Sequence, residues 1–216
     1  MDIKREIRVP YLVHSNRNSG FEQLVANLAS IEGHAIDKIN WNEFDYRPEV
    51  HFKIAYTKDS LVLLYDIWED QVKAVYDQIN DPVYRDSCVE FFLSFDGIYY
   101  YNFEFNCIGT VLVAHGNADK QTRQFLPPDL IGEMKINTQI SKHKQNSYWQ
   151  LMANIPFALF INDNMENFSM KGKTCFANFY KCGDDLKQPH YLSWNKIRSA
   201  SPNFHLPDYF GKLQFD

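Results

Sequence analysis

Glu90 and Glu104 are the residues in this sequence whose types and spacing most suggest chemistry. They stand in DSCVEFFLSFDGIYYYNFEFNCIGT, residues 86–110, among amides, tyrosines and apolar side chains. With Asp96-Gly97-Ile98 as a three-residue hairpin loop, Phe95 faces Tyr99, Leu93 faces Tyr101, Phe91 faces Phe103 and Val89 faces Phe105. Every member of that set is apolar or aromatic, so it defines the core face. The period of two turns Glu90, Phe92, Ser94, Tyr100, Asn102, Glu104 and Asn106 the other way, onto an expected outer sheet face.

This register opposes Glu90 and Glu104. Directly opposed strand residues have Cβ atoms roughly 5 Å apart, and like charges there are unfavourable by a few tenths of a kcal/mol or more. A cation such as Arg85, a metal ion, a shared proton or bound hydroxyls would each compensate. A solvated face with charges screened by water is the plain alternative. The two amides and a tyrosine beside the acids tilt the reading towards a site.

The elements that must position this ribbon are mostly strands. A short helix is expected at Gly20–Ile31, a hairpin at residues 50–68, and further strands at GTVLVAHG, MKINTQISK, YWQLMANIPF, KTCFANFYKC, HYLSW and FGKLQFD. FALFIND reads as a helical turn. Residues 117–133 read as loop, with Pro127–Pro128 forbidding regular structure. Nine or ten short strands with little helix predict an all-β fold, an antiparallel β-sandwich. No repeat or composition break divides the chain, which reads as a single domain over 1–216 with residues 1–40 as an N-terminal extension packing on the sandwich.

The 216 residues include 45% apolar and 16% aromatic residues, enough for a sizeable core. A net charge of -5 without a basic stripe argues against nucleic acid. The start MDIKREIRVPYLVHS is unlike a signal peptide, and no apolar run is long enough to span a membrane. The expectation is therefore a cytoplasmic protein, secreted only if the sequence was trimmed. The four cysteines (88, 107, 175 and 182) form no CxxC pair and read as buried thiols, Cys182 the most exposed by its polar neighbours. Among tryptophans, Trp41, Trp68 and Trp149 read as core. His190 and His205 lie near motif residues and could line one edge.

DPVYRDSCVEFFL, YYNFEFNCIGT, NFYKCGD, PHYLSW and PNFHLPDYFGKLQF, taken in order, resemble the family 9 carbohydrate-binding module superfamily, nearest to its bacterial stand-alone members. The resemblance runs from about Trp41 to the C-terminus. It implies a jelly-roll-like antiparallel sandwich in which two aromatic side chains clamp a terminal sugar and polar side chains bind its hydroxyls. Carried over by motif, the aromatics are Tyr84, six residues before Glu90, and Trp194 in HYLSW. The polar groups are Glu90, with Glu104 and Asn106 before a glycine. Outside the motif, Arg85 could pair with Glu90 or Asp86 or reach a sugar hydroxyl. Two positions depart from the pattern: relatives often carry Trp at Tyr84, and the well-studied sugar binders have a basic residue at Glu104. The resemblance also implies that structural Ca²⁺ can be held, although no metal ligand set is assignable and no cofactor is expected.

The function so implied is non-catalytic binding of an oligosaccharide or polysaccharide end, xylan among them, by a monomer or weak homodimer. No catalytic residue is assigned. Two alternatives stay open. A glycoside hydrolase would use the Glu90/Glu104 pair at the roughly 5 Å separation of retaining enzymes, although an outer sheet face offers little burial to raise a carboxyl pKa. A protein-interaction sandwich would use an exposed patch of Tyr84, Phe92, Tyr100 and Trp194.

Overall fold

The computed structural model describes residues 4–143, 146–163 and 169–216. In chain order the strands are β1 (Glu6–Val9), β2 (His34–Ala35), β3 (Lys38–Ile39), β4 (Glu49–Tyr56), β5 (Ser60–Glu69), β6 (Cys88–Ser94), β7 (Tyr100–Asn106) and β8 (Val111–Gly116). There follow β9 (Gln124–Phe125), β10 (Lys135–His143), β11 (Asn146–Pro156), β12 (Thr174–Cys182), β13 (Tyr191–Ser193) and β14 (Gly211–Phe215). They form two sheets. The first runs β1-β14-β12-β6-β7-β8-β9, with β13 also pairing β12 and β3 joined to β13; the second runs β10-β11-β5-β4-β2.

The ribbon has the expected register. Val89 opposes Phe105, Glu90 opposes Glu104, Phe91 opposes Phe103 and Leu93 opposes Tyr101. At its tip, Asp96 Oδ1 accepts from the amides of Ile98 and Tyr99 at 2.7 and 2.8 Å, and Gly97 takes a φ of 81° that a side chain would strain. The core-facing residues Phe91, Phe103 and Phe105 are fully buried between the sheets with Phe52, Tyr65 and Trp149. Phe52 and Phe179 stack across the interface at 3.7 Å between ring centroids. Each such side chain contributes on the order of 1.5–3 kcal/mol through burial.

On the outside of the second sheet, the helix α1 (Phe21–Leu28) lays Leu24 and Leu28 against Val62, Leu64 and Met152. Among the described strands the ladders are antiparallel except at one edge, where β1 pairs with β14 in parallel. Residues 6–40 contribute β1 and β3 to the first sheet and β2 to the second. Residues 117–133 are more ordered than a loop: they hold β9 and the one-turn helix α2 (Pro128–Ile131). Pro128 opens that helix, where a missing N–H costs nothing. FALFIND supplies the expected turn, a 3₁₀ turn at Phe157–Leu159.

The outer face of the first sheet corrects the expectation of a solvated surface. Glu90, Phe92, Ser94, Tyr100, Asn102, Glu104 and Asn106 are all at most 4% exposed. A second apolar layer covers them, with Phe92, Tyr100, Tyr180 and Cys182 under Trp41, Val83, Ile197, Phe204 and Phe210. Its covering residues come largely from stretches without regular structure. Burial of Phe92, Tyr100 and Trp194 also removes the aromatic patch on which a protein-interaction reading rested. Of the tryptophans expected in the core, Trp41 and Trp149 are buried and Trp68 is 39% exposed. Cys182 is buried like the other three free thiols, because its strand lies under this layer.

Candidate functional site

The covering layer leaves a cavity of about 480 Å³ over the middle strands of the first sheet. Its floor is laid by alternate residues of neighbouring strands: Cys182 of β12, Glu90 of β6, Asn102 and Glu104 of β7, then Leu112 and Ala114 of β8. One wall carries Tyr84, Asp184 and Tyr191, on the β12–β6 side. The other carries Lys120, Arg123 and Phe125, next to β8. Residues 202–205 close a third side.

The floor is polar and incompletely satisfied. Asn102 Nδ2 donates to Glu104 Oε1 at 2.9 Å, and the Cys182 thiol donates to Glu90 Oε1 at 3.1 Å. Asn102 Oδ1 and Glu104 Oε2 are buried without a hydrogen-bond partner, and so is Arg123 Nε on the wall. A buried polar atom left unpaired costs about 1–3 kcal/mol, so these atoms are stabilised by whatever brings hydrogen bonds to them.

Burial also reverses the expectation that these carboxyls keep ordinary pKa values. Burial, the Cys182 thiol and the Glu104 carboxylate push Glu90 well above the usual carboxylate range. Burial lifts Glu104 to about 7, with the Asn102 hydrogen bond and Arg123 holding it back. Asp184 rises to about 6 through burial and its neighbour Asp185. On the third side, burial and then Arg123 lower His205 to about 3, which keeps its ring neutral. Arg123 Nη1 lies 2.6 Å from His205 Nε2 and 2.8 Å from Nδ1, and Nδ1 also lies 3.0 Å from the Tyr100 hydroxyl, which donates to Asn117 O at 3.1 Å.

Of the residues singled out from sequence, the structure brings three into the cavity: Tyr84, Glu90 and Glu104. The other three lie elsewhere. Trp194 is 2% exposed in the core, edge-on to Phe52 and Phe179 at 6.2 and 5.7 Å. A Cβ on Gly211 would come within 2.4 Å of its ring, so the indole seat depends on glycine at that position. The polar neighbours of Trp194 satisfy backbone instead of marking solvent: Ser193 Oγ donates to Asn195 O at 2.8 Å, and Asn195 Nδ2 donates to Tyr209 O at 2.6 Å.

Asn106 is fully buried outside the cavity and spends its amide on architecture. It donates to Tyr76 O at 2.7 Å and Asp86 Oδ2 at 3.1 Å, and accepts from the Thr110 amide at 2.9 Å. Arg85 is exposed and faces away, its guanidinium held by Tyr76 with Asp185 nearby. His190 is also outside the cavity, in contact with Lys181, whereas His205 lines it.

The sequence did carry Asn102, on the same face as the two acids, and it belongs with them in the floor. Asp184 and Tyr191 lie within the KCGDD and HYLSW motifs. Arg123, Lys120 and Phe125 come from the stretch read as loop, where nothing in the periodicity marks them.

Neutral Asn and acidic Glu side chains on a rigid floor, flanked by tyrosine and phenylalanine rings, suit a ligand with hydroxyl donors and apolar C–H faces. The chain matches the model of carbohydrate-binding family 9 over residues 21–215. It is 35% identical to a presumed carbohydrate-binding protein from Bacteroides uniformis, covering 99% of this chain and all of that one, with a TM-score of 0.91. Two further similar folds are of a family 9 carbohydrate-binding module from Caldicellulosiruptor kristjanssonii. Its glucose complex is 12% identical with a TM-score of 0.63 over 98% of this chain and 96% of that one. Its cellotriose complex is 13% identical with a TM-score of 0.61 over 98% and 93%. A search of curated proteins finds no match. With a family match spanning nearly its whole length, the chain belongs to carbohydrate-binding family 9.

Proposed function

We propose that the cavity over β6, β7 and β8 holds the terminal sugar of an oligosaccharide or polysaccharide, without catalysis. Glu90, Asn102 and Glu104 accept its hydroxyls. Tyr84 on one wall and Phe125 on the other cover its C–H faces, taking the part that the sequence had given to Tyr84 and Trp194. Phe125 is 62% exposed and lines the cavity, so its ring is open to a ligand. The observation that carries the proposal is the pair of buried acceptors without partners, Asn102 Oδ1 and Glu104 Oε2, in the floor. Hydroxyl donors satisfy both, and bonds to an ionised acceptor are the stronger kind.

Isothermal titration against glucose, cellobiose, cellotriose and xylobiose, each beside its reduced alditol, tests this. Heat that is lost in Glu104→Gln supports it, and loss on reduction to the alditol identifies a reducing-end ring. Absence of heat with every sugar overturns it.

A glycoside hydrolase reading has one observation in its favour, the elevated pKa of both opposed glutamates, since a general acid must be protonated near neutrality. Release of new reducing ends from cellotriose, abolished in both Glu90→Gln and Glu104→Gln, would establish that reading over the binding one.

A further inference from the structure

At the β12 side of the floor, Glu90 also belongs to a donor set with two thiols that saccharide binding does not use. Cys88 and Cys182 are directly opposed partners of the β6–β12 ladder. Glu90 is two residues beyond Cys88, so its side chain leaves the same face. The two sulfur atoms and a Glu90 carboxylate oxygen all lie within 4.8 Å of one another, and the three residues are at most 3% exposed. Two rigid neighbouring strands hold them, and Cys182 and Glu90 also line the cavity.

We propose that Cys88, Cys182 and Glu90 form a zinc site, a Cys₂Glu set with its fourth position open to a water in the cavity. Two sulfurs and one carboxylate oxygen suit borderline-soft Zn²⁺, which takes four such ligands at about 2.0–2.3 Å in a tetrahedron. Ca²⁺ and Mg²⁺ prefer oxygen-only shells and are disfavoured by the two thiols. Binding exchanges the two thiol protons for metal–sulfur bonds, so the net charge beside Glu104 is unchanged, and it involves no oxidation.

The test is a Co²⁺ titration of the reduced protein without sugar. A thiolate-to-cobalt charge-transfer band that saturates at a single bound ion and is bleached by Zn²⁺ is expected. It should vanish in Cys88→Ser and in Cys182→Ser, and persist in Cys107→Ser and Cys175→Ser. Should a serine variant at the site fail to fold, cadmium-113 NMR of the unaltered protein decides, with a resonance in the two-sulfur range expected. No charge-transfer band, a band that survives in both site variants, or a cadmium signal typical of oxygen and nitrogen donors alone overturns the proposal. Because no saccharide enters these titrations, failure of the metal site and failure of the sugar reading are separately visible.

Discussion

Lys181 and Cys182 are consecutive residues of β12 that face opposite ways, and each opens onto a buried polar cluster of a different kind. On the core side, Lys181 Nζ pairs with Glu69 Oε2 at 3.0 Å and lies 2.9 Å from His190 Nε2. Glu69 Oε1 accepts from the Trp149 indole at 2.6 Å, and His190 Nδ1 donates to Gln188 O at 2.9 Å. The Lys181 and Glu69 charges cancel inside the protein, Glu69 Oε2 meeting the ammonium as an ion pair and no further donor. On the cavity side, Cys182 meets Glu90, Asn102 and Glu104, where like charges face each other and two acceptors have no partner. Both clusters are buried. What separates structure from site is therefore not burial but whether the polar atoms close on themselves.

The sharpest way to break the comparison is to open the closed cluster. Lys181→Met leaves Glu69 buried and uncompensated, and should cost about 3–5 kcal/mol in urea denaturation. Adding Glu69→Leu should recover much of that loss, because a buried pair replaced on both sides by apolar groups is often near neutral.

In the open cluster a conservative change should cost ligand binding and no stability. Glu104→Gln is expected to weaken glucose or cellotriose binding at least tenfold, about 1.4 kcal/mol in titration calorimetry, while the folded protein stays intact.

The same variant sharpens the comparison through pH. Glu104 has a folded pKa near 7, above its unfolded value, so between about pH 4.5 and 7 the folded state binds more protons than the unfolded one. The contribution of this group to stability is thus full below pH 4.5 and falls as pH rises to 7. Glu104→Gln should gain on the unaltered protein across that window, by on the order of 2–3 kcal/mol at its top, measured by denaturation at stepped pH.

The smallest effect concerns the wall. Tyr84→Ala should lower saccharide affinity by roughly 0.5–1.5 kcal/mol, the range of an aromatic contact, with denaturation midpoints changing little.

What the sequence revealed follows the same division. The ribbon register was legible to the residue, because a period of two and one short loop leave a single arrangement with all apolar residues on one face. That arrangement alone opposed Glu90 to Glu104 and placed Asn102 beside them. The cover over that face was not legible, since Trp41, Ile197 and Phe204 come from irregular stretches that have no periodicity to betray a buried side. Trp194 was misplaced for a related reason: Ser193 and Asn195 look solvent-facing by type, yet their polar atoms satisfy backbone in the interior. Arg123 had no local signal, because it reaches the cavity only through the short β8–β9 pairing.

The parallel edge of the first sheet has a consequence in time. β1 pairs with that sheet only through β14, so its ladder waits until β14 is laid against β12, although the chain just after it is tied to β4 through Tyr56. Contacts between positions this far apart in sequence slow folding, since a nearly full-length loop must close before they form. During synthesis the β14 side of β12 near Cys175 stays unpaired until residues 211–215 emerge, and the ladder of β1 forms only after that.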